Sequence, residues 1–589
     1  MDGSIATATE QPVRPQPRVI AAPVRAARRR TLRGELIVVI AASFAVAAAM
    51  TWPALRHPRT TITHDLVDPG LMGWQVQWAA YALLHQPARL FDGNAFHPSP
   101  RSYAFSDTLL GYAPFGLLGQ GPGAATLAVN LIYVFACALA CIGGYALARQ
   151  LGASRTGAAV AGLAIAYAPW RLGQVGHLHV ISTGGIVLAL AMLARGHGLR
   201  LRASPAGTAS EGPPQPVRVG WIVGGWLVAA WQMTIGFGIG LAFAYVLLGL
   251  SLAAVVAWFV KGRPAVSRPV VLANLAGGAV FAAVTLFMAR PYLQVVADFP
   301  HARRTADVLK VYSPSLRGFF TGPPESLWWQ HDPVGLQATL RILPEMALLP
   351  GLVLYALALA GLVWSVWSRR VRWALFAAVV VSIALAMGTA FPGEGRFTYL
   401  VLYHLLPGFD AIRTPGRLVV WTTILLALLA AGTVTALQQR SRRGRVLALL
   451  AAGLVLVEGA SVMPNPTVPP APAALTGAYA EVVQPPLLVL PSDPSTDAMV
   501  MLWSTDGFPA MVNGLSGFTP TSQTELREGT HAFPDVASVA LLRGYGVRTV
   551  VVLRDRIAGT PWAKAADAPV GGLDITRQEI ENAVIFSLS

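Results

Sequence analysis

The sequence contains few charged residues for its length. Only 12% of its 589 residues are Asp, Glu, Lys or Arg, whereas 54% are hydrophobic and the mean hydropathy is +0.54. A soluble protein of this size needs more polar surface than this composition supplies. The composition therefore excludes a soluble globular protein and indicates an integral membrane protein.

Cysteine is nearly absent, since Cys137 and Cys141 are the only two. This scarcity excludes a disulfide framework and a Cys-based zinc motif. The two residues are four positions apart in one apolar run, so they share one face of a helix. Free cysteine in such a place packs as a small hydrophobic residue, and we expect that role for both.

Acidic residues are also scarce, with 28 Asp and Glu against 44 Lys and Arg, which gives a net charge of +16. The arginines form short clusters between hydrophobic runs, where they report membrane topology, so we predict no nucleic-acid partner. Between Asp107 and Asp298 the only acid is Glu211, which leaves few candidates for a catalytic carboxylate outside the membrane. These candidates are Asp65, Asp68, Asp107, Asp298, Asp307, Glu325, Asp332, Glu345, Glu394 and Asp410.

Hydrophobic runs of about 20 residues can cross a hydrocarbon core of ~30 Å, and the sequence contains about eleven such runs. The arginine clusters in the short loops mark the cytoplasmic side. The predicted fold is mainly α: a polytopic helical protein of the bacterial inner membrane with its N terminus in the cytoplasm. Its membrane part covers residues 34–463, with long outer loops at residues 56–122, 290–344 and 391–417.

The two ends of the chain differ from the membrane part. Residues 1–33 are rich in Pro, Ala and Arg without periodicity, which predicts a disordered basic cytoplasmic tail. After a Pro-rich linker, the last hundred or so residues have a soluble composition with three strand patterns and one helix pattern. We therefore predict that residues 464–589 form a small α/β domain outside the membrane.

The segment THDLVDPGLMGWQVQW places two carboxylates, Asp65 and Asp68, just before a helical pattern in the first outer loop. Asp68 is suited to cap this helix, and Pro69 fits its first turn. Trp74 and Trp78 recur at helical spacing, which is typical of a helix in the membrane interface. We expect the two tryptophans to form a platform for a lipid-linked substrate beside the acids.

Four outer sequences carry a resemblance to a known family. They are THDLVDPGLMGWQVQW and FHPSPRSYAFSDTLLGYAPFG in the first loop, PWRLGQVGHLH after the third span and FDAIRTPGRL before the tenth. Together with the polytopic architecture, they resemble the GT-C superfamily of membrane glycosyltransferases. This superfamily includes the protein O-mannosyltransferases, the lipid A aminoarabinose transferases and the YfhO-like bacterial enzymes. Where the first two carry an Asp-Glu pair, this chain has Asp65 and Asp68.

The resemblance implies inverting transfer of a sugar from a polyprenyl-phosphate donor to a glycan, lipid or protein acceptor outside the membrane. Asp68, or else Asp65, would be the general base, whereas the alternative roles are a helix cap and a solvated loop acid. Arginines at the outer ends of spans would hold the leaving phosphate or only contact lipid headgroups. These arginines are Arg171, Arg290, Arg413 and Arg417. His177, His179 and Asp107 would contact sugar or phosphate; no cofactor is expected, and nothing in the sequence supports a divalent metal.

Two other functions fit the same spans. A transporter or flippase for lipid-linked saccharides would show internal repeats and charges within its spans. Here almost every charge lies at a span end, and Glu458 is the exception. A non-catalytic scaffold of cell-envelope assembly would keep the same helices without a working site.

Overall fold

A computed structural model describes residues 22–201, 217–479 and 481–588 of the chain. The contacts divide the chain into a small unit that ends at Ala42 and a large unit from Ser43 to Ser589. Helix α1 (Ala22–Met50) begins within the tail that we predicted to be disordered. Residues 1–21 of that tail lie outside the described residues.

The large unit is mainly helical. Its first half contains α2 (Trp52–Leu55), α3 (Asp68–His85), α4 (Ala113–Gly116), α5 (Pro122–Leu151), α6 (Arg155–Tyr167), α7 (Leu178–Ile181), α8 (Gly184–Gly196), α9 (Val219–Ile235), α10 (Phe237–Val260) and α11 (Arg268–Asp298). Its second half contains α12 (Ala306–Tyr312), α13 (Leu343–Met346), α14 (Leu352–Val363), α15 (Arg369–Ala386), α16 (Tyr399–Leu405), α17 (Val419–Arg440), α18 (Arg442–Glu458), α19 (Pro494–Trp503), α20 (Thr521–Gly529) and α21 (Val536–Gly544). Helix α5 packs against α3, α6 and α8, while α17 packs against α6, α14, α15 and α18.

Five helical stretches of the described chain are long and apolar enough to cross a membrane. They are Pro122–Leu151, Leu178–Gly196, Phe237–Val260, Arg268–Asp298 and Pro415–Arg440. The other helices in the predicted spans are shorter or less apolar, so the count of eleven spans stays a prediction.

Helices α10 and α11 expose most of their length, whereas α5 and α17 are buried. Within the most apolar 18 consecutive residues of each stretch, 33% are buried in α10 and 22% in α11. The corresponding fractions are 72% in α5 and 83% in Pro415–Arg440. The outward side chains of α10 and α11 include Leu248, Leu252, Leu272 and Leu275. Because large apolar side chains are stable in hydrocarbon rather than water, these two helices form a lipid-facing side.

Glu458, the acid within the last predicted span, caps another helix. Its carboxylate accepts hydrogen bonds from the backbone N–H groups of Leu352 at 2.5 Å and Val353 at 3.1 Å, at the start of α14. A carboxylate here satisfies free helix donors and faces the positive end of the helix dipole. This charge therefore has a structural role and gives no support to a transport pathway.

A four-stranded sheet forms the C-terminal part. It consists of β1 (Leu487–Leu490), β2 (Thr549–Leu553), β3 (Thr576–Ile580) and β4 (Ala583–Ser587) in the order β1-β2-β4-β3. Strands β1 and β2 are parallel, and the other two pairs are antiparallel. The sequence predicts β1, β2 and β4, which are buried, but not β3, whose residues are mostly exposed.

The C-terminal part lies directly on the helical part. Helix α19 packs against α3 and α5, and Trp503 of α19 belongs to the same hydrophobic core as Trp74 of α3. The sheet has a second core on its other face, which includes Leu488, Val550 and Phe586. Successive residues of a strand point to opposite faces of the sheet, so neighbours such as Leu488 and Val489 belong to different cores. As a result, the C-terminal part covers the helix that follows Asp65 and Asp68.

Candidate functional site

Most residues of helix α3 are buried in protein, including its two tryptophans. Trp74 is 1% exposed and Trp78 is 2% exposed. Their indole Nε1 groups donate to Asn94 Oδ1 at 2.8 Å and to the Leu90 carbonyl at 2.9 Å, respectively. Phe508 of the C-terminal part packs edge-on against Trp78, with ring centroids 5.3 Å apart. The predicted tryptophan platform is therefore wrong, because both indoles are covered by protein and donate to protein groups.

Replacing Trp78 by Phe is expected to lower stability without changing substrate binding. The substitution leaves the buried Leu90 carbonyl without its donor, which costs about 1–3 kcal/mol. Thermal unfolding in detergent should show a lower midpoint, while binding of a polyprenyl-phosphate sugar, the donor that the family resemblance implies, stays the same. Weaker binding with an unchanged midpoint would instead support the platform.

Asp65, rather than Asp68, caps α3. Its Oδ1 accepts hydrogen bonds from the backbone N–H groups of Val67 at 2.6 Å and Asp68 at 3.2 Å, and its Oδ2 contacts His64 Nδ1. Burial acts to raise the pKa of Asp65, but the hydrogen bond and charge of His64 outweigh it and hold the pKa below its usual value. A carboxylate that is already bonded and has a lowered pKa is a weak base, so Asp65 is a poor candidate for that role.

Asp68 is free of these restraints. Its side chain makes no capping hydrogen bond, and it is 41% exposed. A side chain close to it is that of His177, whose Nε2 lies 3.4 Å from Asp68 Oδ2. Asp68 is therefore the better placed of the two acids to accept a proton.

Both acids face the loop that carries the two predicted histidines. A Cβ added at Gly176 would lie 3.4 Å from Asp68 Cβ, 3.6 Å from His64 Nδ1 and 3.8 Å from Asp65 Oδ2. The absence of a side chain at Gly176 leaves this space open. The first outer loop and the segment after α6 thus meet at the acids.

Asp68 begins a continuous series of polar contacts that joins the first outer loop to the segment after α6, to α13 and to the turn before α17. His177 Nδ1 donates to Gln174 Oε1 at 3.1 Å, and Gln174 Nε2 donates to Glu345 Oε2 at 3.4 Å. Glu345 in turn pairs with Arg417. We call this series the polar chain; it consists of Asp68, His177, Gln174, Glu345, Arg417, His179 and Asp107.

Glu345 and Arg417 form a two-pronged ion pair at the centre of the polar chain. Arg417 Nη2 lies 2.5 Å from Glu345 Oε1, and Arg417 Nε lies 3.2 Å from Glu345 Oε2. Burial acts to raise the pKa of Glu345, but the charge and hydrogen bonds of Arg417 hold it below its usual value. The remaining nitrogen, Nη1, donates to His179 Nε2 at 3.2 Å. All three guanidinium nitrogens of Arg417 are therefore engaged within the protein.

Arg413 has donors that remain available. Its guanidinium lies over the Tyr312 ring, 5.1 Å from the centroid, and it makes no ion pair with any carboxylate of the described chain. Its charge also helps to hold the pKa of Glu345 low. A planar guanidinium with free donors matches the geometry of a phosphate.

Asp107 forms the other end of the polar chain. Its Oδ2 lies 3.6 Å from His179 Nε2, and its Oδ1 accepts a hydrogen bond from the Gly238 N–H at 3.1 Å, at the start of α10. Burial raises the pKa of Asp107 above its usual value, although the Gly238 hydrogen bond and the Arg417 charge act against it. This carboxylate therefore joins α10 to the site.

Two of the predicted phosphate ligands do not join the polar chain. Arg171 is buried and donates to the Ile181 carbonyl at 2.7 Å and to Thr183 Oγ1 at 3.2 Å. These bonds hold the turn that carries His177 and His179. Arg290 is exposed on α11 and makes no hydrogen bond or ion pair with the described residues. The geometry thus gives Arg171 a structural role and leaves Arg290 outside the site.

Several residues of the site escape sequence reasoning. His64 lies between Asp65 and Glu325, with its Nε2 3.6 Å from Glu325 Oε1. His64 and Gln174 stand inside two of the family-like motifs, and this position is a signal that could have found them. Glu345 is one of the ten candidate acids, but its pairing with a residue 72 positions away has no sequence signal. Among the residues that the structure describes, no group of three or more His, Cys, Asp and Glu is arranged to hold a metal ion.

The His64–Asp65 pair predicts a loss of stability in alkaline solution. Burial acts to lower the pKa of His64, but the hydrogen bonds and charges of Asp65 and Glu325 raise it to about 9. A histidine whose pKa is raised by folding adds to the free energy of unfolding. This stabilisation is complete below the pKa of the unfolded chain, about 6.5, and is lost as the pH rises through about 9. The thermal midpoint of the wild type should fall over this interval, and that of His64→Asn should fall less, because asparagine has no imidazole to lose a proton. Asparagine is chosen because it tolerates the positive φ of 84° at this position. Equal falls in the two proteins would contradict the assignment.

Similarity to known proteins is found among solved structures and not among sequences. No protein-family model and no curated protein matches the sequence. A cryo-EM structure of the arabinofuranosyltransferase AftD from mycobacteria is 15% identical, with 95% of this chain and 40% of AftD covered and a TM-score of 0.51. A mutant of AftD gives 14% identity, coverage of 95% and 42%, and a TM-score of 0.51. The apo oligosaccharyltransferase of Archaeoglobus fulgidus gives 12% identity, coverage of 91% and 72%, and a TM-score of 0.47.

The likeness to AftD concerns the fold. This chain spans about 40% of the length of AftD. Nearly the whole of this chain takes part in the match, from the membrane helices to the C-terminal sheet. The chain therefore has a fold similar to that of the matched part of AftD.

Proposed function

We propose that the chain is a membrane glycosyltransferase that moves a sugar from a polyprenyl-phosphate donor to an acceptor outside the membrane. The acceptor is a glycan, a lipid or a protein. In this proposal Asp68 is the general base, Arg413 holds the donor phosphate, and the Glu345–Arg417 pair fixes the geometry between them.

The main support is that Asp68 and the arginines belong to one site although they lie far apart in the sequence. Asp68 contacts His177, and contacts through Gln174 and Glu345 lead on to Arg417. The charge of Arg413 acts on the same Glu345. A base and a phosphate-binding cation at one site are the two elements that this transfer needs.

The proposed step needs only the donor and the acceptor. The acceptor hydroxyl oxygen bonds to the anomeric carbon while the bond from that carbon to the phosphate oxygen breaks. The hydroxyl proton passes to Asp68, and His177, 3.4 Å away, is placed to stabilise or relay it. The polyprenyl phosphate leaves with the bonding electrons, and Arg413 stabilises the charge that develops on it. Attack from the side opposite the phosphate inverts the anomeric centre.

The polar chain lies at the N-terminal end of α17. We place this end at the outer face of a bacterial inner membrane. The short arginine-rich loops then lie in the cytoplasm with the N terminus. The C-terminal part then lies on the outer side as well, because its helix α19 packs on α3. The exposed apolar side chains of α10 and α11 offer a surface on which the polyprenyl chain of the donor can lie in the bilayer.

A transfer assay tests the proposal. The protein, purified in detergent, is incubated with radiolabelled polyprenyl-phosphate sugars and with candidate glycan, lipid and peptide acceptors. We expect the label to appear on an acceptor together with an equal amount of free polyprenyl phosphate. In vesicles, movement of intact donor across the bilayer without loss of sugar would favour a flippase instead. Donor binding without transfer or movement would favour a scaffold.

A further inference from the structure

A basic cleft lies at the opposite end of the helices from the polar chain. It has a volume of about 510 Å³ and is lined by Ser154, at the turn between α5 and α6, and by residues 438–442 and 445, at the turn between α17 and α18. Helix α17 has 22 residues, so its two ends are separated by ~33 Å, about one hydrocarbon thickness. The cleft therefore lies at the membrane surface opposite the proposed transfer site.

The cleft is strongly positive. Arg440, Arg442 and Arg445 line it, Arg443 is adjacent, and in the described parts of the chain none of the four forms an ion pair. Two helices also begin here, α6 after Ser154 and α18 after Ser441, and neither has an acid in its first turn. Helix N-termini carry positive partial charge and usually attract acids. Neither helix therefore supplies a negative charge to this end of the cleft.

The surroundings of the cleft indicate which anion binds. The exposed side chains that follow the arginines on α18 are large and apolar, and they include Val446, Leu447, Leu450 and Leu454. A ligand in the cleft is thus beside a surface that suits acyl chains. A free phosphate would use only the arginines, whereas a phospholipid would use both features.

We propose that this cleft binds the headgroup of an anionic phospholipid, with the phosphate between Arg442 and Arg445 and the acyl chains along α18. The site is separate from the proposed transfer chemistry and does not depend on it. The same juxtaposition of arginines and apolar side chains excludes zwitterionic lipids as preferred ligands, because their ammonium group would meet the cluster of arginines.

Native mass spectrometry of the full chain tests this site. The delipidated protein is titrated with phosphatidylglycerol or with phosphatidylcholine of the same acyl chains. We expect one tightly bound phosphatidylglycerol. Because each arginine near the headgroup contributes about 1 kcal/mol, the Arg442→Gln/Arg445→Gln variant should bind it roughly thirtyfold more weakly.

Arg369→Gln/Arg370→Gln is the matched control. These exposed arginines also open a helix, α15, that has a serine cap and no acid in its first turn. The control should change binding less than about threefold. An equal loss in both variants, or equal binding of phosphatidylcholine, would overturn the proposal, since the effect would then be one of general charge or hydrophobicity. Displacement of the lipid by an excess of glycerol phosphate would also overturn it, because the site would then bind soluble phosphates.

Discussion

Replacing Asp68 by asparagine is expected to lower the rate of sugar transfer by about 10²- to 10⁴-fold, the range that a positioned general base contributes. Asparagine has nearly the same shape but cannot accept the proton of the acceptor hydroxyl. The carboxylate makes no capping hydrogen bond, so the fold should not change. The turnover number, the donor KM and the thermal midpoint in detergent should be measured together, and only the first should change greatly.

Two controls separate this effect from helix capping and from general charge. Asp307, in the first turn of α12, is also an exposed acid at a helix start, and Asp307→Asn should keep the wild-type rate. Asp65→Ala removes the side-chain acceptor that caps α3 and should cost about 1 kcal/mol of stability, with a smaller loss of turnover than Asp68→Asn. The reverse order of the two losses would assign the base to Asp65.

Replacing Glu345 by glutamine is expected to reduce stability and transfer together. The change leaves Arg417 as a charge without its partner in a buried place, and breaking a buried ion pair in this way costs about 3–5 kcal/mol. A displaced Arg417 would also disturb His179, to which it donates. The loss should appear as a lower thermal midpoint and as a lower turnover number of whatever folded protein remains.

A double substitution distinguishes the structural role of the pair from its functional role. Replacing both partners by apolar residues of similar size, Glu345→Leu with Arg417→Met, removes the unpaired charge and should restore most of the stability. Transfer should remain impaired, because the polar chain is interrupted at its centre. Full recovery of turnover in the double variant would show that the pair serves stability alone.

The local patterns in the sequence predict much of the architecture. Strands β1, β2 and β4 follow from short runs of Val, Leu and Ile between turn residues, since their periodicity is contained in a few residues. The helical segments follow from the length of the apolar runs in the same way. The meeting of Asp68, His177 and Arg417 could be expected because their loops all lie at outer ends of predicted spans.

Long-range partners account for what the sequence does not predict. The pattern of Trp74 and Trp78 is the same whether the helix faces lipid or protein, and only the packed structure reveals Phe508 and Asn94 as their neighbours. That Asp65 rather than Asp68 caps α3 depends on loop geometry that no propensity encodes. In the same way, the sequence shows Glu458 only as a charge inside a predicted span. Its role as a cap for α14 depends on a hydrogen bond to a residue 106 positions away.

The most direct test of the account is a structure with an unreactive donor, in which a phosphonate replaces the phosphate of the polyprenyl-linked sugar. We predict that the phosphonate oxygens contact the Arg413 guanidinium and that Asp68 lies on the opposite side of the anomeric carbon. An acceptor hydroxyl placed there would be within the ~2.6–3.2 Å hydrogen-bond reach of the carboxylate. A phosphonate bound away from Arg413, with Asp68 turned from the sugar, would contradict the proposed reaction.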